Sequence, residues 1–392
     1  MNTPYFIIDA DLLEANLKVL QGVKERTGCK ILLAQKCFSC YALYPLIARY
    51  IDGATASGLY EARLCHEEMQ GAENHIFSPA FQEDNIQEIL RICDHIVFNS
   101  PRQLLLLGPR AKEAGLQVGL RINPECSTQE GHAIYDPCAP GSRLGTRLGE
   151  FEQMTPQQLY LLDGLHFHTL CEQNSDDLET TLNAVIEKFG KYLHRMKWIN
   201  FGGGHHITRA DYDIPRLERC IRRMQTEYGL EVYLEPGEAV ALNAGELHCR
   251  VLEVQPVSSD GIQNVIVDTS AACHMPDVIE MPYTPPIIQP SESSPIPLGE
   301  CEERFEFDGN GRGTYVYRLG GPTCLSGDII GTYRFNQQIH EGDEIVFGDM
   351  AIYSMVKTNT FNGMPLPDIY IRKDDNLTCW KRFSFENFKS RL

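Results

Sequence analysis

One lysine in the chain has the residue type and position needed for covalent chemistry. The apolar run Ile31–Gln35 predicts a short buried strand, and Lys36 follows it directly. Lysine is rarely buried without a function, and a lysine whose pKa is lowered by desolvation can form a Schiff base with a carbonyl compound. A solvated lysine just past a strand is the commoner case, so the neighbouring motifs decide between the two.

Three other motifs carry groups that would suit a single cofactor. The triplet Gly202-Gly203-Gly204 lets backbone N–H groups approach a phosphate, although a glycine triplet is more often a turn. Glu235 could pair with a protonated ring nitrogen, as pyridoxal phosphate requires, or form an ordinary salt bridge. His168 could offer its flat face to an aromatic ring, or simply be hydrogen-bonded. With Lys36 as the attachment point, these residues together predict pyridoxal 5′-phosphate as the cofactor.

Eight apolar strands that alternate with helical patterns are expected to position these residues. The pattern predicts strands at residues 31–36, 53–57, 75–78, 95–99, 117–122, 164–168, 198–201 and 232–235, and helices at 11–24, 61–69, 101–114, 177–192 and 215–228. This alternation is typical of a (β/α)8 TIM barrel, in which chemistry occurs at the carboxyl ends of the strands. A polar residue or the glycine triplet follows every predicted strand, so we expect one site at that end.

The pattern changes after residue 244, where helical periodicity fades and short strands separated by proline and glycine turns appear. Strands are predicted at residues 251–254, 264–267, 314–317 and 344–347, and a loop at the proline- and serine-rich residues 282–297. We therefore predict a barrel at residues 11–244 and a β-rich domain made of residues 245–392 together with residues 1–10, whose strand at residues 6–9 joins the sheet.

Composition narrows the class of partner and the cellular compartment. The net charge is −18 and there is no basic run, so nucleic acid and membrane surfaces are poor partners, whereas cations are attracted. No apolar run approaches 18 residues and no signal peptide is evident, which predicts a cytoplasmic protein. The 14 scattered cysteines are expected to be reduced thiols. Cys37 and Cys40 have the spacing of a redox pair or half a zinc site, but no second pair follows, and we predict no metal.

At these residues the sequence resembles a known family along nearly its whole length. The motifs are Ala34-Gln35-Lys36-Cys37-Phe38, Phe167-His168, the glycine triplet, Glu235-Pro236-Gly237, Gly321-Pro322-Thr323-Cys324 with Asp328, and Tyr353 followed by Phe361-Asn362-Gly363. In this order they resemble the alanine racemase-fold basic amino acid decarboxylases, which include the ornithine and diaminopimelate enzymes. The resemblance implies an obligate homodimer in which Cys324, Asp328 and Tyr353 reach the partner's cofactor, with Cys324 protonating the α-carbon.

Four further segments, residues 136–145, 267–271, 274–283 and 363–370, resemble the branch of this family that acts on carboxylated polyamines. That branch would convert carboxynorspermidine or carboxyspermidine into norspermidine or spermidine during polyamine biosynthesis. Glu238 stands where the ornithine and diaminopimelate enzymes carry an arginine that helps to hold phosphate, and a carboxylate there would suit a polyamine. Asp277, Glu280 and Asp328 are the other acids expected to bind the substrate.

Several alternatives stay open at this point. The enzyme could decarboxylate diaminopimelate, ornithine or arginine, although Glu238 argues against these substrates. An amino acid racemase on the same fold would need a second base facing Lys36, and a non-catalytic pyridoxal phosphate carrier would have no use for Cys324. The choice between the two carboxylated polyamines depends on one methylene group, which is worth only about 1–3 kcal/mol in a pocket. No role is assigned to Arg143, Asp268 or His274.

Overall fold

The structure is a computed structural model that describes residues 1–129, 135–288, 295–298 and 315–392. These residues form two compact units, one made of residues 14–240 and the other of residues 1–13 and 241–392. The bounds predicted from the sequence were 11–244 for the first unit and 1–10 with 245–392 for the second. We call the first the barrel unit and the second the sheet unit.

The barrel unit contains the eight-stranded closed parallel barrel expected from the sequence. The first strand of the chain, β1 (Tyr5–Asp9), belongs to the sheet unit. The barrel strands are β2 (Lys30–Ala34), β3 (Gly53–Ala56), β4 (Glu73–Phe77), β5 (His95–Phe98), β6 (Gln117–Arg121), β7 (Gly164–His166), β8 (Trp198–Asn200) and β9 (Glu231–Leu234). Residues Ile31, Leu32 and Leu33 are fully buried, because strands covered on both faces must be apolar throughout.

Helices alternate with these strands. They are α1 (Ala10–Thr27), α2 (Tyr44–Ile47), α3 (Leu59–Glu68), α4 (Glu83–Ile92), α5 (Pro101–Glu113), α6 (Leu148–Phe151), α7 (Pro156–Leu161), α8 (Ser175–Leu193), α9 (Ile214–Tyr228) and α10 (Glu238–Ala241). No helix was expected at α4, although its buried residues Ile86, Ile89 and Leu90 have helical spacing. Helix α9 ends at Gly229, whose φ of +71° is the left-handed conformation that closes many helices.

One tryptophan explains two glycines in the barrel strands. Trp198 is the first residue of β8, and its indole packs with Leu32, Val97 and Tyr233. A Cβ atom at Gly119 would lie 2.4 Å from the indole, and one at Gly164 would lie 2.0 Å from it. Because neither distance is possible for a real Cβ atom, strands β6 and β7 need glycine where the indole fills the interior.

The sheet unit is organised by the long strand β10 (Gly245–Val257). The other strands are β11 (Gln263–Val267), β12 (Ile287–Ile288), β13 (Ile296–Leu298), β14 (Tyr315–Gly320), β15 (Ile329–Phe335), β16 (Glu344–Gly348), β17 (Asp368–Lys373) and β18 (Asn376–Lys381). Strand β10 pairs with β1, β11 and β16, so β1 joins this sheet as expected. Three short helices, α11 (Ala271–His274), α12 (Asp277–Glu280) and α13 (Phe385–Lys389), complete the unit.

The predicted loop at residues 282–297 is partly wrong. Ile287 and Ile288 pair with Phe347 and Val346 of β16, and Ile287 is buried. Strand β13 begins at Ile296, and residues 289–294 lie outside the described part of the chain. The flanking prolines hid these strands, because a strand of two residues leaves no alternating pattern to detect. Thr314, expected at the start of a strand, also lies outside the described residues.

Two further observations concern the length of the helices and the state of the cysteines. Within the described residues, none of the helices has both the length and the apolar character needed to cross a bilayer. The thirteen cysteines in the same part of the chain are all free thiols, and nine of them are buried. The sequence predicted reduced thiols, and the described cysteines form no disulfides with one another.

Candidate active site

Lys36 lies in the turn that follows β2, at the carboxyl end of the barrel. Its side chain is reachable by solvent, yet protein atoms surround it closely enough for desolvation to matter. This desolvation, assisted by the positive charge of Arg121, lowers the pKa of Lys36. A lowered pKa increases the share of neutral amine near neutral pH, and the neutral amine is the nucleophile.

Glu235 follows β9 and is buried between two donors. His166 Nε2 lies 3.1 Å from one carboxylate oxygen, and Asn200 Nδ2 donates to the other at 2.9 Å. Burial alone would raise the pKa of Glu235, but the interactions with His166 and Asn200 outweigh it and hold that pKa below its usual range. Burial lowers the pKa of His166, so a neutral imidazole donates its Nε2 proton to an ionised carboxylate.

His168 lies just beyond β7 with its imidazole held in one orientation. The backbone N–H of Gly203 donates to its Nδ1 at 3.2 Å, which leaves the ring proton on Nε2. Burial, followed by the charges of Lys36 and Arg121, places the pKa of His168 well below its usual value. The ring is therefore neutral, as a stacking partner for an aromatic cofactor should be.

Arg121 was not singled out from the sequence, although it ends β6 at the same edge of the barrel. It is buried, and its guanidinium lies over the ring of Phe77, 4.7 Å from the centroid. Its Nη2 donates to the carbonyl oxygen of His168 at 3.3 Å. A polar residue at a strand end is the signal that identified the other residues. The strand predicted at residues 117–122 extends past Arg121, so Asn123 was taken as the polar residue that follows it.

The glycine triplet comes closer to neighbouring backbone than any other residue type could. Gly202 and Gly204 have φ values of +70° and +81°. A Cβ atom at Gly202 would lie 2.5 Å from the oxygen of Phe167, and one at Gly203 would lie 2.6 Å from that of Glu235. Each glycine is therefore required, and the loop is held tightly against the ends of β7 and β9.

Glu238, the acid that replaces the family's arginine, has a histidine as its partner. Its Oε2 lies 2.5 Å from Nε2 of His206, and the side chains are 11% and 8% exposed. His206 follows the glycine triplet by two residues and was not predicted from the sequence. A histidine in a loop has no periodic signature, and only the fold brings it to Glu238.

In the sheet unit the predicted residues fall into two groups. The carboxylate of Asp328 is buried and accepts hydrogen bonds from Ser270 Oγ at 2.9 Å and Thr323 Oγ1 at 2.6 Å. Cys324 is exposed, and its backbone N–H donates to Asn362 Oδ1 at 2.8 Å. The thiol is therefore accessible on a loop whose shape Asp328 maintains.

The second group surrounds Lys357. Its ammonium contacts the carboxylates of both Asp277 and Glu280, with 2.6 Å to Glu280 Oε2. It also lies 5.7 Å from the centroid of the Tyr353 ring, whose backbone φ is +46°. Asp277 and Glu280 thus already bind one ammonium group together.

The unassigned residues have structural partners or are exposed. His274 is buried between Thr269 Oγ1, 2.9 Å from its Nδ1, and the carbonyl oxygen of Pro365, 3.0 Å from its Nε2. Burial lowers the pKa of His274 to about 4. Asp268 accepts the backbone N–H of Arg250 at 2.8 Å, and Arg143 is exposed.

The barrel residues fit pyridoxal 5′-phosphate. They supply an amine of lowered pKa, an ionised carboxylate for the ring nitrogen, a neutral imidazole for the ring face and a glycine loop for the phosphate. Three buried histidine nitrogens at this end, Nδ1 of His166, His205 and His206, have no hydrogen-bond partner among the described residues. Such unpaired polar atoms are typical of a site that a polar ligand completes.

Comparison with known proteins identifies the class. Residues 7–351 match the family described as pyridoxal-dependent decarboxylase, C-terminal sheet domain. The chain belongs to this family, and it is a pyridoxal-dependent decarboxylase with a TIM barrel and a separate sheet domain.

Two relatives and one solved structure are similar to this chain along its whole length. The chain is 40% identical over 392 residues to a carboxynorspermidine/carboxyspermidine decarboxylase of Campylobacter jejuni, covering 100% of this chain and 98% of the relative. It is 34% identical to a carboxyaminopropylagmatine decarboxylase of Synechocystis, covering 100% of this chain and 95% of the relative. The crystal structure of carboxynorspermidine decarboxylase complexed with norspermidine, from Campylobacter jejuni, matches with a TM-score of 0.88 and 38% identity over 100% of both chains.

Proposed function

We propose that this enzyme removes CO2 from carboxynorspermidine, carboxyspermidine or both, producing norspermidine or spermidine in polyamine biosynthesis. The observation that carries the proposal is the 40% identity over the whole chain with the Campylobacter jejuni enzyme of that name. The net charge of −18 supports it, because such a protein attracts a polycationic substrate. The free thiols support a reducing compartment, and the proposal therefore includes a cytoplasmic location.

Bound pyridoxal 5′-phosphate would supply the electron sink for the electron pair left when CO2 departs. Lys36 would hold the cofactor through its amine, which its lowered pKa makes nucleophilic. Glu235, kept ionised by His166 and Asn200, would accept a hydrogen bond from the ring nitrogen and keep that nitrogen protonated. His168 would stack on one ring face, and the glycine triplet would contact the phosphate.

Residues of the sheet unit complete the proposal through a second copy of the chain. By resemblance, Cys324 would donate the proton that reaches the α-carbon after CO2 is lost, and its accessible thiol suits that role. Asp328 and Tyr353 would act at the same partner site. The hydrogen bonds to Asp328 from Ser270 and Thr323 indicate that this acid orders the cysteine loop as well.

The acids Asp277 and Glu280 are proposed to bind an ammonium group of the substrate. Both carboxylates contact the Lys357 ammonium, so their spacing already suits a primary amine. A substrate ammonium that binds there has to displace Lys357. We therefore expect Lys357→Ala to lower KM for the polyamine, because it removes an internal competitor.

A second candidate substrate is carboxyaminopropylagmatine. The 34% identity with the Synechocystis enzyme of that name extends over the whole chain and is the observation that favours it. This candidate ends in a guanidinium group where a carboxylated polyamine ends in an ammonium group. Both are cations that paired carboxylates bind, so the acids found here do not separate the two.

The test is CO2 release by the purified enzyme supplied with pyridoxal 5′-phosphate. The substrates are carboxynorspermidine, carboxyspermidine, carboxyaminopropylagmatine, diaminopimelate, ornithine and arginine, each compared by kcat/KM. The Lys36→Ala variant is the control that shows whether CO2 release depends on Lys36. We expect a carboxylated polyamine to give the highest kcat/KM and the control to give none.

Other results would redirect the proposal. A preference for carboxyaminopropylagmatine would replace the substrate and keep the chemistry. A preference for diaminopimelate or ornithine would overturn the polyamine assignment. Conversion of an L- to a D-amino acid without CO2 release would favour a racemase.

A further inference from the structure

His206 has a buried imidazole whose two nitrogen atoms are in different situations. The residue is 6% exposed and lies two positions after the glycine triplet. Its Nε2 lies 2.5 Å from Oε2 of Glu238, so this nitrogen carries a proton and donates it to the carboxylate. Its Nδ1 is buried without a hydrogen-bond partner in the part of the chain that the structure describes. The ring is thus hydrogen-bonded at one nitrogen and unpaired at the other.

The unpaired Nδ1 of His206 indicates a ligand. An unpaired buried polar group costs about 1–3 kcal/mol, and native proteins rarely leave one without a protein, water or ligand partner. The backbone N–H groups of the two preceding residues, Gly204 and His205, also donate to no group among the described residues. A phosphate has enough acceptor oxygens for three donors, and consecutive backbone N–H groups are a common phosphate-binding arrangement.

The charge of Glu238 makes His206 necessary for such a ligand. A carboxylate and a phosphate that lie close together repel each other, and a cation between them offsets this repulsion. An imidazole with protons on both nitrogens is that cation, donating Nε2–H to Glu238 and Nδ1–H to the phosphate. His206 and Glu238 together would thus replace the arginine that the ornithine and diaminopimelate enzymes carry where this chain has Glu238.

We propose that His206 holds the phosphate of the cofactor through Nδ1, and that Glu238 is a positioning residue that orients the imidazole and balances its charge. The inference rests on the proposed function, because it requires pyridoxal 5′-phosphate as the cofactor. It assigns Glu238 to His206 and so removes it from the acids that contact the polyamine.

The test compares two ligands that differ only in the phosphate. Full-length enzyme freed of cofactor is titrated with pyridoxal 5′-phosphate and with pyridoxal, for the wild type, His206→Gln and Glu238→Gln. We expect each variant to bind pyridoxal 5′-phosphate about 10- to 100-fold more weakly, as found for residues that orient a ligand-binding histidine. Affinity for pyridoxal should not change. The double variant should lose little more than either single variant, because one residue acts through the other.

A matched control and a rescue separate this role from a general effect on folding. Glu218→Gln removes another buried carboxylate. Glu218 lies on α9, and its Oε1 accepts a hydrogen bond from Nε of Arg26 at 2.5 Å. This variant should leave cofactor affinity unchanged. Glu238→Arg in the His206→Gln background should restore binding, because the guanidinium supplies the missing cation. Calorimetry in buffers of different ionisation enthalpy should show more proton uptake with pyridoxal 5′-phosphate than with pyridoxal, and this difference should disappear in both single variants.

Two results would overturn the inference, and a third concerns the proposed function. Variants that bind pyridoxal 5′-phosphate as tightly as the wild type would remove His206 from the phosphate site. A rise in KM for carboxynorspermidine in Glu238→Gln, at unchanged cofactor affinity, would return Glu238 to the substrate site. A wild type that binds no pyridoxal 5′-phosphate and releases no CO2 would overturn the proposed function itself.

Discussion

The two ends of the barrel each hold a glutamate among histidines, and the clusters differ in how their charges are matched. At the amino end, Glu73 contacts Lys30 Nζ at 2.9 Å and His75 Nε2 at 3.0 Å, and His95 stacks on His75 with ring centroids 3.8 Å apart. Burial raises the pKa of Glu73, but His75 and Lys30 outweigh it and lower that pKa to about 2. Each charge at this end therefore has its partner inside the cluster.

At the carboxyl end the charges are not matched in this way. Glu235 is satisfied by His166 and Asn200, while Lys36 and Arg121 place two cations beside it. The same residue types thus form a charge-balanced network at one end and leave surplus positive charge at the other, which is the division of stability and chemistry expected for a TIM barrel.

The amino-end cluster also illustrates the limit of judging a site by residue type. Ligand atoms of Glu73, His75 and His95 lie within 4.8 Å of one another, close enough for a metal ion. The two imidazole rings are stacked at an interplanar angle of 14°. A metal ion must lie near the plane of each imidazole that binds it, and nearly parallel stacked planes do not meet at one ion. The arrangement therefore suits packing.

Substitution of one lysine at each end by alanine should produce the largest difference in CO2 release. Lys36→Ala removes the amine that we propose holds the cofactor, so we expect CO2 release to fall to background with little change in Tm. Lys30→Ala removes a partly exposed ion pair with Glu73 and should cost about 0.5 kcal/mol of stability while turnover persists. Assays of CO2 release and thermal unfolding of both variants check this contrast. Retained turnover in Lys36→Ala would contradict it.

Substitutions of Glu235 and Glu73 should show the next largest difference between the two ends. Glu235→Gln removes the charge that we propose keeps the cofactor ring protonated, and kcat should fall about 10²- to 10³-fold, the usual effect of losing one electrostatic partner in an active site. Glu73→Gln should lower the free energy of unfolding with no effect on kcat. Steady-state kinetics and urea denaturation of both variants measure this. Equal losses of kcat would show that the ends are not functionally distinct.

Glycine-to-alanine changes test the same contrast through packing. Gly203→Ala pushes the glycine loop away from the oxygen of Glu235, and a shift of this kind can lower turnover about 10²-fold. Gly164→Ala drives a methyl group into Trp198 and should destabilise the barrel by about 1–3 kcal/mol with normal turnover of the folded fraction. Active-site titration distinguishes these results, and the idea fails if Gly203→Ala affects stability alone.

A pH titration of stability tests the amino-end cluster alone. Burial lowers the pKa of His95 to about 2, so the folded protein leaves His95 neutral while the unfolded chain protonates it below about pH 6.5. The unfolded state then binds more protons, and stability falls as the pH decreases from about 6.5. His95→Gln should reduce this slope by about 1.4 kcal/mol per pH unit. Urea denaturation between pH 4 and 7 measures both slopes, and parallel slopes would disprove the assignment.

Sequence patterns were sufficient for the barrel and for the residues that follow its strands. Lys36 and Glu235 were found because each ends a short apolar run, and parallel strands bring such ends together. His206 and Arg121 were missed, because their importance depends on contacts with Glu238 and with the ring of Phe77 that lie far away in the sequence. Pairing is a property of the fold, and residue type alone does not reveal it.

The sheet unit was predicted less completely for a related reason. Four strands were expected besides β1, whereas β12, β13, β15, β17 and β18 were not. Strand β17 pairs with β1, whose residues precede it by more than 350 positions. Such pairings are fixed by side-chain packing across the sheet and leave only a weak local signal.

The discontinuity of the sheet unit has a consequence for the order in which the protein is made. Strand β1 pairs with β10 from Gly245 onwards and with β17 from Asp368 onwards. At about 5–20 residues per second, roughly 12 to 47 s of translation separate β1 from the start of β10. The barrel residues leave the ribosome during this interval, while β1 is a nascent strand with open edges. The ribosome thus delivers the first strand of the sheet long before its neighbours, and a chaperone that shields β1 would act in that interval.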